Sequence, residues 1–123
     1  MQYAILCYHD EKVTCAWSKE HDDAVMAKLG AVQEKLVKQG KLGPVARLMP
    51  TTAAMTLRKD GDPPLVLDGP FAETKEQLLG FYIVDCASME EAIGIARDLG
   101  KANPGGAYEI RPVGIFFPGA AAG

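Results

Sequence analysis

The sequence predicts an α+β fold in which two helices lie across one face of an antiparallel sheet. Three observations carry that reading. Strand-like runs open, divide and close the chain, a segment with a helical apolar stripe follows the first and the middle run, and a strong turn signal at Asp60-Gly61 folds an extra hairpin between them. With 123 residues, 48% hydrophobic and 24% charged, the chain has the length and composition of one globular domain that buries a core without disulfides or metal. Residues 1–117 are expected to form that domain, and 118–123, small residues after Pro118, a flexible tail.

The first strand, Met1 to His9, alternates Tyr3, Ile5 and Cys7 on one face with Ala4, Leu6 and Tyr8 on the other; both faces are apolar or aromatic, so the strand is central. Asp10 to Trp17 reads as a polar loop. Ser18 offers an N-cap, with Glu20, Asp22 and Asp23 in the first turn, where acids favour the helix dipole, so a helix starts near Lys19. Its stripe is Val25, Leu29, Val32 and Leu36, and Gly40 supplies the left-handed stop. A strand bracketed by prolines follows from Leu42 to Pro50. Ala54 to Lys59 and Leu65 to Asp68 pair as a hairpin around Asp60-Gly61. The next strand, Gly80 to Cys86, is again apolar on both faces. Ser88 and Glu91 make a capping box for a second helix that buries Ala92, Ile95, Ala96 and Leu99 and stops at Gly100. Asn103-Pro104-Gly105-Gly106 turns the chain into a last strand from Ala107 to about Phe116. This order is that of a ferredoxin-like split β-α-β fold with an inserted β-hairpin.

Two helices cover one face of such a sheet, yet the central strands carry large apolar side chains on both. A second copy is the economical cover for the other face, so a homodimer is expected. A net charge of −3, with 13 basic and 16 acidic residues dispersed along the chain, provides no field for a phosphate backbone, and nucleic acid is not an expected partner. No apolar run approaches the roughly 20 residues that span a bilayer, and no secretory leader pattern opens the chain, so no membrane partner and a cytoplasmic location are expected. Cys7, Cys15 and Cys86 have no C-x-x-C spacing, as in reduced thiols. Cys7 and Cys86 read as core, and Cys15 as an exposed loop thiol rather than a reactive one. The sequence has no glycine-rich phosphate loop or dinucleotide fingerprint, and no cofactor is expected.

The stretch with the most chemistry is Asp68-Gly69-Pro70-Phe71-Ala72-Glu73-Thr74-Lys75. With Glu76-Gln77 after it, and Gly80-Phe81-Tyr82-Ile83-Val84-Asp85 beyond, it resembles the YCII-related family, in the branch with a D-G-P-F signature. Tyr108-Glu109-Ile110-Arg111-Pro112-Val113 is similar to that branch's closing strand, and Met1 to Tyr8 with Asp10-Glu11 to its opening. The resemblance covers nearly the whole chain. It implies a small bacterial protein that forms a dimeric α+β barrel, often encoded beside sigma factors of the extracytoplasmic-function type. More distant relatives resemble small-molecule enzymes that use a carboxylate, in some cases with a histidine. Leu79-Gly80 stands where the branch has a glycine pair, a departure that bears on loop and pocket shape.

Asp68 is the leading catalytic candidate. An aspartate before a turn usually accepts from the amide two residues on, but Pro70 has none, so the carboxylate must bond a later amide such as that of Phe71 or serve as a general acid/base. Lys75 and Arg111 would orient a small anionic ligand, or else pair with Glu73, Glu76 or Glu109. Asp68, Glu73 and Glu76 are too sparse for a calcium or magnesium site, so no metal is expected. Tyr8 and Tyr82 line the cleft or pack the core. His9, at a strand end, either faces the pocket mouth or the surface. Two functions are therefore weighed: a cofactor-independent lyase, dehydratase or isomerase with Asp68 moving a proton, and a non-catalytic ligand-binding or regulatory dimer linked to a sigma factor. A scaffold role has less support, because packing alone does not require so charged a motif.

Overall fold

β1 (Gln2–His9) is the strand on which the main sheet is assembled. The computed structural model describes residues 1–119. β1 pairs antiparallel with β5 (Gln77–Asp85) on one side and β6 (Ala107–Pro112) on the other, and β2 (Leu42–Arg47) closes the far edge of β5. The resulting order, β2-β5-β1-β6, is that of a ferredoxin-like sheet. The prolines within strands, Pro44 and Pro112, both fall on the edge strands, where a missing N–H costs least.

α2 (Lys19–Lys38) and α3 (Met89–Ala102) lie across one face. Alternation along β1 and β5 sends Tyr3 and Ile5, with Tyr82 and Val84 opposite them, into the core, against Val25, Leu29 and Leu36 of α2 and the apolar side of α3. Ile5, Val84 and Leu99 are wholly enclosed, each contributing about 1.5–3 kcal/mol by burial. The expected stripe holds, with Val32 only partly buried. Ser18 accepts from the His21 amide at 3.0 Å, and Gly40, at φ +69°, ends α2. Ser88 caps α3 through the Glu91 amide at 3.2 Å, while the Glu91 carboxylate reaches the Ala87 amide at 3.1 Å and Lys41 at 2.8 Å. The hydrogen bond from Lys41 holds the Glu91 carboxyl below the usual carboxylate range, with the Ala87 amide adding to it.

Several boundaries differ from expectation. Asp10 to Trp17 is not all loop: Asp10 accepts from the Lys12 amide at 3.0 Å and caps a four-residue helix, α1 (Glu11–Thr14), too short to show an apolar period. α3 runs through Gly100, because Ala102 is buried, and the break falls at Asn103-Pro104. β2 stops at Arg47 and β5 starts earlier, at Gln77. β6 ends at Pro112 rather than Phe116; the Val113 amide makes one more bond, to Gln2, before Gly114. Pro118 and Gly119 have no regular structure, and the rest of the expected tail, 120–123, lies outside the described residues.

β3 (Met55–Arg58) and β4 (Leu65–Asp68) pair as expected but form a separate two-stranded sheet. Met55, Leu57, Leu65 and Val66 are all exposed on it. On the main sheet, Ala4 and Leu6 lie opposite Ile83 and Phe81 on the face away from the helices, each half-exposed in the single chain.

The β1–β5 register slips between Cys7 and Tyr8, Cys7 facing Gly80 and Tyr8 facing Leu78, so Leu79 is an extra residue on β5. The bulge draws β5 against β2, and the Leu48 amide donates to Leu79 at 2.8 Å. A Cβ at Gly80 would overlap the Ala46 carbonyl oxygen, an atom of the backbone that cannot rotate away. Gly80→Ala is therefore expected to destabilise the protein by about 1–3 kcal/mol, read as a lower denaturation midpoint at unchanged slope. A midpoint equal to wild type would show that β2 is not held this closely.

Candidate functional site

The bulge, the β2 side of the sheet and α2 enclose a cavity of about 550 Å³, with α1 and the residues after it along its rim. Its wall is largely apolar, and a few polar groups converge on it, as in small-molecule sites generally. Cys7, Tyr82 and Tyr108 contribute from the sheet, and Gln33 from α2. Burial pushes the Tyr108 phenol up to about 12 and raises that of Tyr82, an effect Gln33 partly offsets. Both phenols keep their protons at neutral pH and remain hydrogen-bond donors. Burial also pushes the Cys7 thiol up to about 12, which keeps it protonated and a poor nucleophile.

His9 ends β1 at the cavity wall. Gly105 and Gly106, both at positive φ, lay their backbone against its ring; side chains there would overlap the imidazole and the Tyr8 carbonyl. Trp17 stands edge-on to the ring at 6.2 Å between centroids, and His21 meets Trp17 at 4.6 Å. Nδ1 of His9 is shielded from solvent and has no hydrogen-bond partner among the described residues. Buried polar atoms are nearly always satisfied, and an orphan costs about 1–3 kcal/mol.

The rim is fastened by side chains. The Glu11 carboxylate accepts from the Thr51 amide at 3.1 Å and from the Thr51 hydroxyl, and the Glu11 amide donates to the Gln77 side chain at 2.9 Å. α1 is thereby tied both to the 3-10 turn Thr51–Ala53 and to the start of β5. Farther along, Arg47 donates to Asp22 of α2 at 3.2 Å.

Of the residues singled out from the sequence, Tyr8, His9 and Tyr82 come together on this wall. Asp68, Glu73, Lys75 and Arg111 do not line it. Asp68 is exposed at the end of β4, and its carboxylate makes no hydrogen bond among the described residues, to Phe71 or any other. The turn after it is satisfied without it: the Gly69 amide donates to Ala54 at 2.8 Å, and the Thr56 hydroxyl to the Gly69 carbonyl at 2.8 Å. Glu73 and Lys75 are exposed in the link to β5, and Arg111 is exposed on β6 opposite Ala4, on the sheet face away from the helices. Among the described residues no three His, Cys, Asp or Glu side chains are grouped as metal ligands, and no helix is long and apolar enough to cross a membrane.

Sequence reasoning missed Glu11, Asp22, Gln33, Arg47 and Tyr108. Asp22 reads as a helix-dipole acid and Tyr108 as part of the closing strand; Arg47 alone carried a signal, as the one charge in the run Val45-Ala46-Arg47-Leu48-Met49. At neutral pH, iodoacetamide is expected to label Cys15, which is exposed, while Cys7 and Cys86 react only after denaturation. Intact mass should show one adduct on the native protein and three on the unfolded chain; a second native adduct would show that Cys7 or Cys86 is reachable and reactive in the folded protein.

The YCII-related domain family matches residues 1–116. Over 120 residues the chain is 64% identical to an uncharacterized protein of Rhizobium meliloti (strain 1021), an alignment that covers 97% of each.

Proposed function

This chain belongs to the YCII-related family, and we propose that it is a cofactor-independent acid/base enzyme whose small-molecule substrate occupies the cavity beside α2. The observation that carries this reading is His9: an imidazole on the cavity wall, clamped by Gly105 and Gly106, whose shielded Nδ1 has no hydrogen-bond partner among the described residues. Histidine serves as both proton acceptor and donor near neutral pH. Tyr82 and Tyr108, which keep their protons, are donors for an oxygen that gains charge when a neighbouring carbon loses its proton. Lyase, dehydratase and isomerase reactions share that step. The Cys7 thiol, protonated and partly buried, takes no covalent part.

The check is deuterium exchange from solvent into acidic C–H positions of small carbonyl compounds, followed by NMR. Wild type is expected to catalyse exchange, and His9→Gln to lower the rate by roughly 10²–10⁴-fold while still binding. Binding without exchange in wild type would leave a ligand-binding or regulatory protein.

A second reading is favoured by the apolar surface left bare on one chain. Ala4, Leu6, Phe81 and Ile83 are half-exposed on the open sheet face, and Leu57 and Phe71 are exposed on and beside the hairpin. In this reading a homodimer closes over these surfaces, and Asp68 serves as general acid/base for a small anionic ligand that Glu73, Lys75 and Arg111 would orient. Light scattering at micromolar concentration is expected to give twice the 13.2 kDa chain mass, and a monomer there removes this reading.

A further inference from the structure

We propose that the molecule held in the cavity is a monoanionic carboxylic acid with an apolar body, and that Arg47 binds its carboxylate while Asp22 positions the guanidinium. This inference rests on the cavity being a ligand site, the reading proposed above, and adds the chemical class of the ligand. Among the described residues, Arg47 is the only lysine or arginine on the cavity wall. It reaches the wall from the end of β2, where Ala46 and the bulge at Leu79 and Gly80 hold the strand close to β5.

The charges around it determine what it accepts. Glu11 has both carboxylate oxygens engaged by Thr51. Asp22 accepts from Arg47 through one oxygen, at 3.2 Å from one terminal nitrogen. A guanidinium carries five N–H donors in a planar fork, and this single bond leaves most of that fork available among the described residues. Arg47 is 61% exposed on its side chain and Asp22 33%, so the acid is the anchored partner and the guanidinium keeps an open edge. A planar carboxylate matches that edge in a two-bond arrangement. A phosphate dianion would bring a second negative charge toward Asp22 and Glu11, with no second lysine or arginine among the described residues of the wall to meet it. The apolar wall, with Val25, Met26 and Leu29 of α2 on it, takes the body of the acid.

Trp17 is the sole tryptophan and lies on the cavity wall, so its fluorescence reports occupancy. The experiment titrates wild type, Arg47→Met and Asp22→Asn with phenylacetate and benzoate and with their neutral amides, phenylacetamide and benzamide, after circular dichroism has shown each variant folded. In wild type at least one acid is expected to bind roughly tenfold or more tightly than its amide. Arg47→Met should weaken that acid by roughly tenfold to hundredfold and leave the amide unchanged. Asp22→Asn, which keeps an acceptor for Arg47 and removes only the charge, should change the acid's affinity by less than Arg47→Met does; a loss as large as that of Arg47→Met overturns the positioning role. If none of the four probes gives a saturable signal in wild type, the cavity reading fails, and this inference with it. If amides bind as tightly as acids, or Arg47→Met keeps the acid's affinity, the carboxylate assignment alone is overturned.

Discussion

The pairing of β1 with β5 is the constraint from which the other features follow. Its register sets Ile5 beside Tyr82 and Tyr3 beside Val84, and these inward residues give α2 and α3 a surface to pack on. A one-residue slip would turn every one of them to the opposite face, so the buried set and the register enforce each other. The single departure, the extra Leu79, changes the phase at one end of the pair only. There the strand stops behaving as core and begins to form a wall, with His9 at the end of β1 and Gly80 against the backbone of β2.

The cavity groups divide by how they are held. His9 is held by shape, between two glycines and Trp17, with a nitrogen that has no partner among the described residues. Glu11 is held by hydrogen bonds, which fix the short helix α1 along the rim. Arg47 is held by one charged hydrogen bond, to Asp22, and from one side. Burial, meanwhile, keeps Cys7, Tyr82 and Tyr108 in their neutral forms, so the interior offers donors and the rim carries the charges.

The fold was legible because its signals are local. Ser18, Ser88 and Gly40 act within a few residues of themselves, and each stands where the helix ends require. Gly100 misled, because burial of Ala102 against the sheet outweighs the modest cost of a glycine within a helix. Asp10 misled in the other direction: its cap is made, but α1 is too short for periodicity to register. The candidate site was legible in part. Tyr82, and His9 in phase with Ile5 and Cys7, lie on the face that alternation turns toward the helices, whereas Tyr8 is in the opposite phase and lines the cavity only at the strand end. Asp68 drew attention because Pro70 removes its usual partner, whereas the structure satisfies that turn through Gly69, Ala54 and Thr56 and leaves the carboxylate in solvent.

Spacing and composition were enough for the strand and helix order, the two buried stripes, the hairpin and the family, since each depends on residues within about a dozen positions of one another or on a contiguous motif. Membership of the cavity is of another kind. Glu11 meets Thr51, Asp22 meets Arg47, and Gly105 meets His9 across separations that no periodicity encodes. Those meetings are decided by the angle at which α2 crosses the sheet and by one extra residue in β5, and both are outcomes of packing the whole core at once.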